Sequence, residues 1–177
     1  MNPRTKAILK VSVVAGLLVG AATWAMSRIH YVTGAGEEGL QVWFYDQSEG
    51  RLYAVPRDTI PPHKGIGGTE DDGVKAVVVA PLADCNDSKK RRIAYLETYT
   101  PDYKRLLEDV RAAQAAGRPL GRPMPDPETG YYEKNTLVRR VDDPKWYDLT
   151  TAEAKRIVAE GRSRRGPNGE AQGICTP

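Results

Sequence analysis

The stretch LQVWFYDQSEGRLYAVP, residues 40–56, is the clearest β-hairpin signal in this sequence. Two runs rich in aromatic and β-branched residues, 42–45 and 51–55, flank a turn that closes at Gly50. Glycine suits that place because it adopts the positive φ that tight hairpins need. Pro56 stops further pairing, since proline has no amide hydrogen for a ladder. The stretch therefore predicts two antiparallel strands.

The residues after the hairpin predict a larger sheet and a helix. The apolar run 74–80 indicates a central strand, and the alternating run 92–99 indicates its antiparallel neighbour. A helix is predicted over 101–116, with Thr100 as its N-cap and Gly117 at its end. Its apolar residues recur at helical spacing, so we expect this helix to cover the sheet.

Two further elements complete the predicted domain. A strand is expected over 136–141, and a second helix begins at a capping box that opens with Thr150 and ends at Gly161. The prediction is an α+β fold over residues 40–161, with a small, mostly antiparallel sheet packed against one or two helices and many loops. Residues 162–177 are predicted to form a C-terminal tail, loosely ordered unless a cysteine fixes it.

Upstream of the hairpin lies VSVVAGLLVGAATWAM, residues 11–26, which carries no charge. With residues 7–9 the apolar segment reaches twenty residues. At about 1.5 Å per residue, a helix of that length spans roughly 30 Å, the hydrocarbon thickness of a bilayer. We predict a transmembrane helix over 7–29 that contacts membrane lipid. The basic leader 1–6 precedes it and the linker 30–39 follows it.

The charges beside the span predict its orientation. Basic residues precede the apolar run and two acidic residues follow it soon after. The positive-inside rule then places the N-terminus in the cytoplasm and the domain outside, on a single-pass protein of the inner or cytoplasmic membrane. The small residues 20–22 also fit a signal-peptide cleavage site, which would release a secreted or periplasmic domain.

Three small residues of the span, Ser12, Gly16 and Gly20, recur every four positions. They lie on one face of the predicted helix, where small side chains let a second helix approach closely. This face is a candidate for self-association or for docking on another membrane helix. The alternative is that small residues are simply common in membrane spans.

Composition and charge exclude several classes of protein. A mean hydropathy of −0.52 and 28% charged residues exclude a multi-span membrane protein. The net charge of +3 comes from the first 32 residues, so the rest of the chain holds 22 basic and 23 acidic residues. We therefore expect no nucleic-acid partner. The basic clusters 89–92 and 162–165 are expected to be solvated loops, with anionic lipid or an envelope polymer as second choice.

Cys85 and Cys175 are the only cysteines. In the oxidising compartment inferred above, a disulfide between them is the natural interpretation. A closed loop of about 90 residues would restrict the unfolded chain by roughly 4 kcal/mol on the entropy model. Two free thiols are the alternative, and alkylation under non-reducing conditions separates the two.

Candidates for catalysis or metal binding are few. His63 is the one imidazole of the domain that could act as a base, and a surface histidine is the other interpretation. Asp84, Asn86 and Asp87 could contact calcium, but their loop lacks the glycine and the closing glutamate of an EF-hand. We expect no metal and no cofactor.

The aromatic residues indicate an interaction surface. Nine Tyr and two Trp outside the predicted span accompany a single Phe. Tyr and Trp are enriched at protein interfaces. Tyr131, Tyr132, Trp146 and Tyr147 lie beside proline-rich loops and are the candidate contact residues. The alternative is that these four side chains cap a small core.

Residues 44–62, FYDQSEGRLYAVPRDTIPP, resemble a family of uncharacterised bacterial proteins. Those proteins have one N-terminal span and a small extracytoplasmic domain. The resemblance continues through the strand at 74–76, the loop with Cys85, and the run 137–140 before Trp146. It implies the same anchored plan and carries no known activity.

These observations together predict a function without catalysis. We expect a membrane-anchored interaction or accessory subunit of a bacterial cell-envelope complex, with a protein partner in the envelope. The alternative is a cell-envelope hydrolase or small-ligand-binding enzyme that uses His63.

Overall fold

The computed structural model describes residues 40–68, 70–166 and 168–177. One compact unit runs from Gln41 to Pro177. The predictions that lie outside the described residues are the leader 1–6, the span 7–29 with its small-residue face at Ser12, Gly16 and Gly20, and the linker 30–39. None of the helices in the described part of the chain has both the length and the apolar character needed to cross a bilayer.

The described residues form seven strands and three α-helices. The strands are β1 (Gln41–Asp46), β2 (Arg51–Pro56), β3 (Gly73–Pro81), β4 (Arg92–Tyr99), β5 (Thr136–Arg139), β6 (Tyr147–Asp148) and β7 (Gln172–Ile174). The helices are α1 (Pro101–Ala115), α2 (Tyr131–Asn135) and α3 (Ala152–Gly161), with a short 3-10 turn at Pro127–Thr129. The strand order is β2-β1-β3-β4-β5-β6, all pairs are antiparallel, and β7 adds to β3. The predicted antiparallel sheet with a few helices is confirmed.

The β1–β2 hairpin forms as predicted, with Gly50 at φ 64° in its turn. Asp46 ends β1 with a fully buried side chain. Its carboxylate accepts hydrogen bonds from the amide of Glu49 at 2.8 Å and from the amide of Ile66 at 2.5 Å. The hydrogen bond from the Glu49 amide is the main reason that the pKa of Asp46 is lowered. The buried carboxylate thus ties the hairpin turn to the loop before β3.

The two faces of the sheet are covered in different ways. On the first, which we name the loop face, Val74, Ala76, Val78 and Leu96 are at most 6% exposed. No helix of the described residues lies over them. The half-buried side chains that pack on them are Trp43, Tyr45, Leu52, Cys85, Ile93 and Trp146.

The second, the helix face, carries α3. Ala154 and Ile157 pack on Tyr95 and Val138 in a fully buried cluster. The helical residues of this cluster belong to α3. The predicted helix after Thr100 also contacts the sheet, because the ring centre of Tyr103 lies 4.8 Å from that of Tyr99 on β4. Helix α1 packs beside α2 as well, through ring contacts of Tyr103 with Tyr131 and Tyr132. Helical periodicity shows which side of a helix is apolar, but not which surface it meets.

The start of α1 agrees with the sequence and the start of α3 differs by one residue. Thr100 caps α1, and its Oγ1 accepts from the Tyr103 amide at 3.4 Å. The N-cap of α3 is Thr151 rather than Thr150, and its Oγ1 accepts from the Ala154 amide at 3.2 Å. No capping box forms, because the third helical residue after Thr151 is Ala154, which has no carboxylate to reach back to the N-cap amide.

Gly161 was predicted as the residue that stops α3. The helix does end at Gly161, which is its last residue and is buried. A Cβ at this position would lie 2.6 Å from Cδ1 of Tyr95 and 3.1 Å from Cβ of Ala94. The absence of a side chain therefore permits the close approach of α3 to β4. Gly117, with φ 60°, does end its helix as predicted.

Residues 162–177 do not form a tail beside the domain. Ile174 of β7 pairs with Val79 of β3, Arg165 bridges to Ala171, and Cys175 is 4% exposed. The predicted boundary at residue 161 therefore corresponds to no boundary in the fold. The segment joins the sheet because β7 pairs with β3 and Cys175 bonds to Cys85. An ordered segment was expected if a cysteine fixed it.

Candidate functional site

The two cysteines meet at the end of β7. Their sulfur atoms are 2.05 Å apart, at disulfide distance, and ninety residues separate them in sequence. The amide of Cys175 also donates to the carbonyl oxygen of Val78 at 2.8 Å. The predicted pairing of Cys85 with Cys175 is therefore present, and it joins the β3–β4 loop to the C-terminal segment.

Gln172 joins two basic segments that are far apart in sequence. Its side chain is 5% exposed. Its Oε1 accepts from Nη2 of Arg92 at 2.7 Å, and its Nε2 donates to the carbonyl oxygen of Ser163 at 2.7 Å. Its own amide donates to the carbonyl oxygen of Arg164 at 3.0 Å. The clusters 89–92 and 162–165 therefore share one end of the sheet.

We name this region, residues 82–92 and 162–174, the basic end. It holds seven basic and three acidic residues, while the rest of the chain from residue 33 onward holds 15 basic and 20 acidic. The domain is thus nearly neutral as a whole, but its charge is separated. Leu82 and Ile174 are 67% and 59% exposed there, and both line a groove of about 480 Å³ together with Arg162 and Arg164.

A second groove, of about 720 Å³, adjoins the first between β4, α3 and residues 140–142. Arg140 lines it and forms ion pairs with Glu153 at 2.8 Å and Glu160 at 2.7 Å. These two carboxylates raise the pKa of Arg140, while Arg156 and then Arg140 lower the pKa of Glu153. Because its guanidinium is neutralised in this way, Arg140 organises the wall of the groove rather than offering a free charge.

The loop face carries two tryptophan–arginine pairs. The guanidinium carbon of Arg91 lies 5.0 Å from the ring centre of Trp43, and that of Arg139 lies 4.9 Å from the ring centre of Trp146. Each arginine also holds a loop in place. Arg91 donates to the carbonyl oxygen of Cys85 at 2.6 Å, and Arg139 donates to that of Asp143 at 2.7 Å.

The four predicted contact residues do not form one surface. Tyr131 and Tyr132 contact each other and Tyr103 on the helix face. Trp146 packs on the loop-face core, whereas Tyr147 packs on the helix-face core. All four side chains are half-buried. Only Trp146 of the four belongs to the loop face.

His63 lies among aromatic rings. Its ring centre is 5.8 Å from that of Phe44 and 6.3 Å from that of Tyr53, and its backbone pairs with Gly73. No hydrogen bond joins its imidazole to another described side chain. The arrangement that a nucleophile and base require is therefore not found at His63 among these residues.

The carboxylates of the acidic turn considered for calcium interact with neighbouring residues of the same loop. Asp84 pairs with Lys90 at 3.0 Å, which raises the pKa of Lys90, and Asp87 accepts from the amide of Lys89 at 3.0 Å. Asn86 is exposed. Across residues 40–68, 70–166 and 168–177, no three His, Cys, Asp or Glu side chains gather as metal ligands would.

Sequence reasoning missed Gln172 and Arg139. A lone glutamine in a Gly-rich segment carries no periodic signal. The contact of Arg139 with Trp146 likewise joins two residues that no helix or strand period links. Comparison with known proteins finds no matching family model, no matching curated protein and no matching solved structure.

Proposed function

We propose that the domain is a non-enzymatic interaction module, an accessory subunit of a complex in the bacterial cell envelope. The predicted N-terminal span would hold it at the membrane. The observation that carries this proposal is the loop face. No described helix covers that face, and Trp43 and Trp146 lie half-buried on it under Arg91 and Arg139. Trp, Tyr and Arg are the residues that most often dominate binding energy at protein interfaces.

Rigidity supports the same function. The rings of Trp43 and Trp146 pack on a core that is at most 6% exposed, and the arginines above them are hydrogen-bonded to loop carbonyl groups. A partner that binds such a surface would lose little side-chain entropy in ordering it. The Cys85–Cys175 pair also agrees with a location outside the cytoplasm, where disulfides persist.

The enzyme alternative has no comparable support, since His63 packs against Phe44 and Tyr53. A His63→Ala variant separates the two functions. Loss of function in a normally folded His63→Ala protein would favour the enzyme.

The direct test places a large charged side chain on the loop face. Ala54 is exposed and lies opposite Trp43 on the same face of the sheet. Ala54→Arg should block a partner without disturbing the core. Ala112→Arg, at an exposed position of α1 on the other side, is the matched control. Tagged full-length chains are captured from membranes in mild detergent and weighed by native mass spectrometry.

We expect wild type and Ala112→Arg to retain the same partner in a defined ratio, and Ala54→Arg to lose it. A strictly monomeric wild-type chain without a partner would contradict the proposal. Equal capture by all three chains would show that the partner binds elsewhere and would remove the role of the loop face.

A further inference from the structure

We propose that the basic end docks on anionic phospholipid headgroups of the membrane that holds the predicted span. Leu82 and Ile174 would insert between the headgroups, and the surrounding arginines and lysines would pair with lipid phosphates. This interaction is distinct from the protein contact proposed for the loop face. The two proposals share the predicted anchor and Arg91, which lies over Trp43 at the border of the two surfaces.

The apolar part of the surface consists of two neighbouring side chains. Leu82 and Ile174 are the two most exposed large apolar side chains of the described residues, and they line one groove. Leu82 lies across Gly173, where a Cβ would stand 2.9 Å from Cδ2 of Leu82. Apolar side chains presented on a basic surface are typical of proteins that lie at the membrane interface.

Several cations of the basic end form no ion pair with a described residue. Lys90 is paired with Asp84, and Arg162 donates to the hydroxyl of Tyr95 at 3.1 Å. The side chains of Lys89, Arg164 and Arg165 are exposed and form no ion pair or hydrogen bond with a described residue. Each such cation near an anionic membrane strengthens binding about fivefold.

The topology brings this surface close to the point where the chain enters the domain. Strands β1 and β7 lie along the same edge of β3, because Lys75 and Val79 both pair with β4 on the other edge. Gln41, three residues before Phe44, therefore lies roughly 10 Å along that edge toward β7. The predicted ten-residue linker 30–39 reaches at most about 35 Å. A membrane that held the span would thus lie within reach of the basic end.

The test uses the full chain reconstituted with vesicles of phosphatidylcholine alone or of an equimolar mixture with phosphatidylglycerol. The photo-crosslinker p-benzoylphenylalanine replaces Leu82 in one protein and Met124 in the control. Met124 is 48% exposed but lies in the loop after α1, outside the basic end. The readout is the yield of lipid adduct by mass spectrometry.

A charge variant completes the design. Arg164→Gln with Arg165→Gln removes two cations, and Lys64→Gln with Arg118→Gln removes the same charge from exposed positions elsewhere. The ratio of docked to undocked domain should fall roughly 30-fold in the first variant, from about fivefold for each cation. It should stay unchanged in the second. Peptide mapping of the Cys85–Cys175 link verifies that each variant is folded.

The proposal is supported if lipid adduct forms at position 82 only with phosphatidylglycerol. The adduct must also be absent at position 124 and be lost in the arginine variant. Equal adduct in both lipids, equal adduct at both positions, or no adduct at position 82 overturns it. Soluble polyphosphate is added as a last arm. If it shields Arg164 and Arg165 from chemical labelling while anionic vesicles do not, the surface binds a free polyanion and the lipid proposal is wrong.

Discussion

Gln172→Met should loosen the basic end by a measurable amount. Gln172 is 5% exposed, and its amide makes one bond to the Ser163 carbonyl oxygen and one to the guanidinium of Arg92. Methionine has a similar length and no amide group, so both bonds are lost with little change in packing. A neutral hydrogen bond contributes about 1 kcal/mol and one to a charged group about 1.5–3 kcal/mol. Because Arg92 is exposed and water can replace its partner, we expect a total loss of about 2 kcal/mol.

The assay is thermal unfolding of the full chain in mild detergent, followed by circular dichroism. For a chain of this size, a loss of about 2 kcal/mol lowers Tm by roughly 4–8 °C. Gln114→Met, at an exposed position of α1, is the control and should change stability by less than about 0.5 kcal/mol. Amide hydrogen exchange of residues 163–166 should rise in Gln172→Met alone. A Tm and an exchange pattern equal to those of the control would refute the role of Gln172 in joining the two segments.

Three further outcomes are expected. Gly161→Ala should destabilise the domain by about 1 kcal/mol in chemical denaturation. The added Cβ would lie 2.6 Å from Cδ1 of Tyr95, and this overpacking outweighs the gain in helix propensity. A more stable variant would contradict the close contact between α3 and β4. Burial, then Glu97, raises the pKa of Tyr99 to about 12, so stability should be full below pH 10 and fall between pH 10 and 12. In Tyr99→Phe the denaturant midpoint should fall less steeply between pH 10 and 12. A pH dependence equal to that of wild type would contradict the role of Tyr99. Non-reducing peptide mapping should recover Cys85 linked to Cys175, and their double replacement by serine should cost about 2–5 kcal/mol; recovery of both thiols in alkylated form would exclude the bond.

The local elements were predictable because their signals are local. The β1–β2 hairpin follows from β-prone runs around a Gly50 turn, and β3 and β4 follow from apolar and alternating runs. The N-cap at Thr100 follows from its side chain and the proline after it. The short elements α2, β6 and β7 were missed, since two to five residues hold no full period of a helix or strand.

The chain alone therefore specified the hairpin, the central strands, two of the helices and the charge balance of the domain, because each depends on residues that are neighbours in sequence. It did not specify the candidate surfaces. Arg92 and Gln172 are eighty residues apart, and the cysteines ninety, yet these contacts assemble the basic end. Hydrogen bonds of single side chains across such distances leave no pattern in the sequence. They arise only when β7 pairs with β3, which is why the charge separation and the exposed Leu82 and Ile174 appear first in the fold.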